Sequence, residues 1–278
     1  MSSLRRLEVS ELKAKADLAR KRLVGVAMRN GAGHIAPSLS CVDLLTALYY
    51  RTMRLDSNPE WPDRDRLVFS KGHGAYGLYA ILADLGYIPL GDWENFYKGS
   101  LLHGCVERDL SRALEASTGS LGHGLPLAVG LAFGAKLQGL PWHTYCIVGD
   151  GEMQEGSCWE AIQFAVFHQL GNLCVIVDKN NLQAMDRLDD VLTLKDRPDD
   201  LHRKLDVFGM ETVTVPGHDL AALDAQFSAW QGGKPGSAPR ALVAETIKGY
   251  GVLAMENKSF FHFRLPTEEE IKKGVRYG

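Results

Sequence analysis

Val148–Ala161 reads VGDGEMQEGSCWEA, and Val177–Gln183 reads VDKNNLQ. Each segment begins where an apolar run ends, Tyr145–Val148 in the first case and Leu173–Val177 in the second. Short apolar runs closed by turn residues indicate strands buried in a sheet. The first strand releases Asp150 between two glycines, and thirty positions later the second releases Asn180. An acid and an amide at neighbouring strand ends suit a hard divalent cation that takes oxygen ligands and carries a diphosphate. The two glycines let the backbone approach phosphate oxygens closely. Asp150 could instead cap the helix that follows, but capping alone would leave Asn180 without a role.

Further strands are expected at Arg66–Ser70, Glu211–Val215 and Ala241–Glu245. Helical periodicity covers Val9–Met28, where Leu12, Ala16, Ala19, Leu23 and Val26 share a face and Ser10 is the expected N-cap. Helices are also expected at Cys41–Tyr50 (capped by Ser40), Ala75–Leu85, Leu125–Leu137, Cys158–Gln169 and Leu220–Trp230. GAGHIAPSLS, from Gly31, reads as a glycine-rich loop, Trp93–Leu114 as irregular, and Gln231–Ala238 as a surface loop. Strands alternating with helices predict an α/β fold: one central parallel sheet, helices on both faces, in a single domain over 1–278. Open α/β sheets take ligands beyond the carboxyl ends of their strands, where both halves of the signature fall.

A length of 278 residues, 45% of them hydrophobic and 23% charged, is enough for a sizeable core. The net charge of −3 gives no sign of a nucleic-acid or polybasic membrane partner. Arg5, Arg6, Lys13, Lys15, Arg20, Lys21 and Arg22 are expected on the solvated face of a helix. The five cysteines have no metal-ligand spacing and read as free thiols of a reducing compartment. Without a signal core or an apolar run of membrane length, the expected location is cytoplasmic.

His34, His73, His103 and His123 lie in glycine-rich or loop settings, and His262 lies in FFHFRLP. Imidazoles so placed can donate to phosphate oxygens or sugar hydroxyls and can carry protons near neutrality. His143, His168, His202 and His218 lack such settings and are expected at the surface.

Read in order, GHIAPSLS, FSKGHGAYGLYAIL, EASTGSLGHGLPLAVGLA, VGDGEMQEGSCWEA, DKNNLQ and ETIKGYGV…MEN…HFRLPTEEE resemble the N-terminal part of the transketolases. The likeness runs from about Gly25 to about Glu270, and it is to the split form, in which this part is a separate polypeptide. The resemblance implies a three-layer thiamine diphosphate-binding fold and transfer of a two-carbon ketol unit from a ketose (phosphate) to an aldose. It implies thiamine diphosphate as cofactor, with Mg2+ (or Ca2+ or Mn2+) held by Asp150, Asn180 and the Leu182 carbonyl. Gly151 and Asn180 would also hold the diphosphate, and Gly119, Ser120 and Leu121 would lie under the aminopyrimidine and diphosphate. His34 would contact the sugar, while His73 and His262 would lie near both cofactor and substrate. These three histidines are the candidates for hydroxyl contact and proton shuttling. Glu155 would lie at a dimer interface.

One position departs from the pattern. Counting back from Glu115, Cys105 stands where the family has a substrate-contacting histidine, and His103 is out of register. A thiol is a weak donor, and one lost polar contact at a buried site costs roughly 1–3 kcal/mol. The resemblance also implies a partner: the glutamate that activates the cofactor belongs to a pyrimidine-binding domain, expected on a separate C-terminal subunit. The alternatives are a related enzyme with an α-keto acid donor and a non-catalytic regulatory subunit.

Overall fold

The computed structural model describes residues 4–31, 33–184, 186–191, 200–231 and 237–277. Among these, five strands form one parallel sheet. They are β1 (Arg66–Phe69), β2 (Thr144–Gly149), β3 (Leu173–Lys179), β4 (Glu211–Pro216) and β5 (Arg240–Glu245), in the order β1-β2-β3-β5-β4. Side chains alternate faces along each strand. Tyr145 and Ile147, Ile176 and Leu242 point into one apolar cluster, and Cys146, Val148, Val175 and Val243 into the other. Both faces are therefore core, which is why the strands carry unbroken apolar runs.

The first face is covered by α1 (Val9–Asn30), α2 (Ile35–Leu39), α3 (Val42–Ala47), α4 (Ala75–Asp84) and later α10 (Leu220–Trp230). α5 (Leu90–Glu94) packs on α4. The second face is covered by α6 (Gly124–Gln138), α7 (Gly156–Phe167) and α9 (Leu201–Val207). Short helices α8 (Leu188–Val191) and α11 (Glu268–Lys272) complete the three-layer α/β fold. Residues 232–236 of the loop expected at Gln231–Ala238 lie outside the described residues.

Several local expectations are corrected. α1 is capped by Glu8, not Ser10: Glu8 has extended backbone, and the Glu11 carboxylate accepts its N–H at 2.8 Å in a reciprocal capping box. The loop expected at GAGHIAPSLS contains α2, because Pro37 sits in a first turn, where no amide N–H is needed. Ser40 ends α2 rather than capping the next helix, and its hydroxyl lies 2.7 Å from the buried carboxylate of Asp178. The helix expected at Cys41–Tyr50 relaxes into a π-helical turn at Leu48–Thr52.

Two surface assignments are also overturned. Arg20 is 3% exposed and ion-paired with buried Asp43. His218 is held between Asp43 (2.7 Å from Nδ1) and the Ile247 N–H (2.8 Å from Nε2), with its ring stacked on Tyr250. Arg20 follows Ala19 on the helix and so reaches the edge of the buried stripe, where Asp43 supplies the charge that makes burial tolerable.

Candidate functional site

The carboxyl ends of β2 and β3 form adjacent corners of the sheet, with Gly149 in register with Asp178. Just beyond Gly149, Asp150 is 3% exposed. Its carboxylate accepts the N–H groups of Gly151 at 2.8 Å, Asn180 at 2.8 Å and Asn181 at 2.5 Å. It therefore ties the two strand ends together instead of capping a helix. Asn180 turns its side-chain oxygen to the Leu182 N–H at 3.1 Å, and Asn181 takes a left-handed backbone, φ 60°.

Burial and the charge of Asp178 push the Asp150 carboxyl up to about 6. A buried acid in that condition is a site where a cation would be stabilising. Next to it stand the Asn180 amide and the Leu182 carbonyl. That carbonyl accepts from Lys248 Nζ at 3.3 Å, and its second lone pair remains for another partner. The set is all oxygen, as a hard cation requires. Among the described residues no cluster of three or more His, Cys, Asp or Glu side chains has metal-binding geometry. A cation here would thus share its coordination with an amide, a carbonyl and ligand oxygens. The glycines fit the same purpose. A Cβ on Gly72 would meet Gly119 N at 2.7 Å, and one on Gly151 would meet the Gln183 side chain at 3.2 Å. These residues and metal-bound diphosphate are chemically compatible.

A cavity of about 410 Å³ opens over these groups. Asp150, Gly151, Asn180 and Leu182 line it together with His34, His73, His262 and Cys105. The three imidazoles form a cluster with ring centroids 5.1–5.8 Å apart. Burial, with Lys71 and the neighbouring histidines, lowers His73 to about 2. Burial and Lys248 lower His262 to about 3, and the same two causes lower His34. All three are neutral at pH 7, so each presents one N–H and one acceptor. Gly119 and Leu121 line the cavity, whereas Ser120 is exposed and does not. Cys105 packs on Gly119, where an added Cβ would lie 2.8 Å from its Sγ. His103 is exposed and paired with Glu107, and His123 is also exposed, so neither belongs to the cluster.

Three residues at this site were not singled out in the sequence. Lys71 forms a fully buried ion pair with Asp178, which also accepts from Ser40 and Thr246. Burial disfavours both charges, but the pair outweighs it: Asp178 falls to about 2 and Lys71 rises. Lys248 donates to the Leu182 and Gln183 carbonyls and lies 2.8 Å from His262 Nδ1. Burial and Lys71 lower it to about 8. Glu152, also buried, accepts from Ser70 at 2.5 Å and from the N–H groups of Gly122 and Gly149 at 3.0 and 3.1 Å. It fastens three loops under the cavity. Lys71 precedes a glycine in KGHG, and Lys248 precedes one in IKGYG. That shared pattern was the available signal.

Residues 13–277 match the family model described as transketolase, thiamine diphosphate binding domain. The chain is 38% identical over 270 residues to one of the apulose-4-phosphate transketolase subunits of Actinobacillus succinogenes, covering 96% of this chain and 95% of that one. It is 36% identical to the 6-deoxy-6-sulfo-D-fructose transketolase subunit SqwG of a Clostridium species, with 95% of each covered. Its fold superposes on the crystal structure of Campylobacter jejuni transketolase with a TM-score of 0.84 at 28% identity, over 96% of this chain but only 42% of that one. The chain therefore belongs to the transketolase family, as its thiamine diphosphate-binding domain.

Proposed function

We propose that this chain is the diphosphate-binding subunit of a transketolase assembled with a separate subunit that carries the pyrimidine-binding domain. The observation that carries this reading is the shared cavity: the oxygen set of Asp150, Asn180 and Leu182 lines the same cavity as three neutral imidazoles. Asp150, Asn180 and the Leu182 carbonyl would hold Mg2+. Gly151, His73, Gly119 and Leu121 would seat the diphosphate and the ring above it, with Ser120 supporting the turn from outside. The bound cofactor supplies the nucleophilic carbon at which a carbon–carbon bond is broken and remade. His34 and His262 would donate hydrogen bonds to sugar hydroxyls and carry protons released or taken up there. Lys248 would keep His262 in place and add positive charge beside the phosphates.

The donor is a ketose other than the commonest ketose phosphates. Two relatives of full length are named for apulose-4-phosphate and 6-deoxy-6-sulfo-D-fructose. Cys105 removes a strong polar contact from the cavity wall. A cytoplasmic setting agrees with the five free cysteines. Among the described residues no helix is long and apolar enough to cross a membrane.

The test combines calorimetry and kinetics on the chain with its partner. Thiamine diphosphate should bind only with Mg2+ present, and Asp150→Ala should abolish binding and ketol transfer together. Tight, metal-independent binding, or full activity of Asp150→Ala, would refute the assignment. Turnover of pyruvate without any ketose would select the decarboxylating alternative.

A further inference from the structure

Behind His34 lies a second polar feature, outside the cavity itself. The His34 Nδ1 is 3.5 Å from the hydroxyl of Tyr76, on α4. That hydroxyl is 2.8 Å from the hydroxyl of Tyr97. Tyr76 is 1% exposed, and its ring lies under the backbone before His34: a Cβ on Gly33 would be 3.3 Å from the Tyr76 ring. Tyr97 is 47% exposed, while its hydroxyl bond to Tyr76 is part-buried.

The geometry of Tyr97 is unusual. Its φ is 64°, a left-handed conformation that disfavours a bulky side chain by about 1 kcal/mol or more. Two things hold it there. Its ring packs 4.3 Å from Phe96, whose ring is itself 4.8 Å from Tyr76. The other is the bond to Tyr76. The Tyr97 hydroxyl lies where a side chain at position 104 would begin, since a Cβ on Gly104 would be 2.2 Å from it. The next residue, Cys105, lines the cavity. A left-handed tyrosine, a glycine that makes room for it and a buried phenol aimed at one imidazole thus form one arrangement.

We propose that Tyr76 and Tyr97 form a two-hydroxyl brace that fixes His34 with its proton on Nε2, making both tyrosines positioning residues for the sugar contact. This rests on reading the cavity as the sugar site. The direction follows from donor and acceptor strength. An imidazole nitrogen is a better acceptor than a phenol oxygen, and a phenol is the better donor. Water can donate to Tyr97, Tyr97 to Tyr76, and Tyr76 to Nδ1. The ring nitrogen left over then carries the proton and offers a donor to a substrate oxygen. The brace thereby supplies orientation at a wall where Cys105 offers only a weak donor.

The full-length chain with 15N-labelled histidine reports the tautomer directly in long-range 1H–15N spectra, and His34→Gln identifies the His34 signals. Wild type should show His34 mainly as the Nε2–H form. Tyr76→Phe, which keeps the ring, should move it toward a mixture of tautomers, and Tyr97→Phe should do so partly. In the complex with the partner subunit, with apulose 4-phosphate as probe donor, KM should rise about fivefold for Tyr76→Phe with little change in kcat. Unchanged His34 signals in both phenylalanine variants would overturn the brace, even if KM rose. Unchanged KM despite a shifted tautomer would overturn its role in sugar contact. If no form of the complex transfers a ketol unit, the proposed function falls, while the spectra still decide the brace.

Discussion

At the scale of single residues, the buried Lys71–Asp178 pair lies just beneath the strand ends that carry the candidate metal ligands. Removing one partner leaves the other charge buried without compensation. Asp178→Ala is expected to lower stability by about 3–5 kcal/mol in urea unfolding. The double change Lys71→Met with Asp178→Leu should recover much of that loss, because it removes both desolvation costs at once. Asp84 behaves differently. Burial raises its carboxyl, but Lys15, Tyr50 and Arg22 bind it and hold it below the usual range. A lowered folded value means stability that is present above the unfolded value and lost as pH falls through the folded one. Asp84 is only partly buried, so Asp84→Asn should cost about 1 kcal/mol at pH 7. The urea midpoints of the two proteins should converge below pH 4, and a constant gap down to pH 3 would contradict the assignment. Cys105→His is expected to raise kcat/KM for xylulose 5-phosphate relative to the native donor, and an unchanged ratio would make Cys105 neutral.

Among the elements, α6 shows how glycines of one helix differ in meaning. Its first residue, Gly124, lies against the end of β1. A Cβ there would sit 2.3 Å from Ser70 Oγ and 2.6 Å from Ser70 Cα. Ser70 is also the donor to Glu152, so the same clash would disturb the loops under the cavity. Gly130 and Gly134, further along α6, have open space at the Cβ position. Gly130→Ala should therefore raise helix stability by about 0.5–1 kcal/mol through backbone entropy alone. Gly124→Ala should lower it by about 1–3 kcal/mol and weaken Mg2+-dependent thiamine diphosphate binding. Thermal unfolding of both variants, with and without cofactor and metal, separates the two effects. The sequence places Leu125–Leu137 in one helix, but spacing alone does not reveal which residues face β1.

Over the whole molecule, α6 and α7 leave a run of apolar side chains in solvent on one side. Leu137 is 70% exposed and Phe167 81%, with Leu127 and Phe164 nearly half exposed. Phe164 is in edge contact with Phe133 of α6, so the two helices contribute to one patch. Patches of this kind on a subunit mark surfaces that another chain covers. Phe164→Glu with Phe167→Glu should weaken assembly with the partner subunit in light scattering. The unfolding free energy of the isolated chain should fall by no more than about 1 kcal/mol, since Phe167 is exposed and Phe164 gives up little beyond its ring contacts with Phe133 and His168. Retained assembly would mean that the partner docks elsewhere.

Read residue by residue, the chain already yields the parallel sheet, its strand limits to within a residue or two, and the nearness of Asp150 to Asn180. These follow from local signals: apolar runs long enough for buried strands, and polar residues released at their ends. It also marked His34, His73 and His262, because glycines surround two of them and the ordered motifs carry all three. Which charged and polar groups are buried follows instead from packing between distant segments. Arg20 and His218 look like surface residues until Asp43, brought up by α3, meets both. Lys71, Glu152 and Lys248 likewise acquire meaning only when Asp178, three glycine-rich loops and the Leu182 carbonyl converge on them. Burial of a charge depends on partners distant in the chain, and the glycine-flanked pattern around Lys71 and Lys248 marks loops without naming those partners.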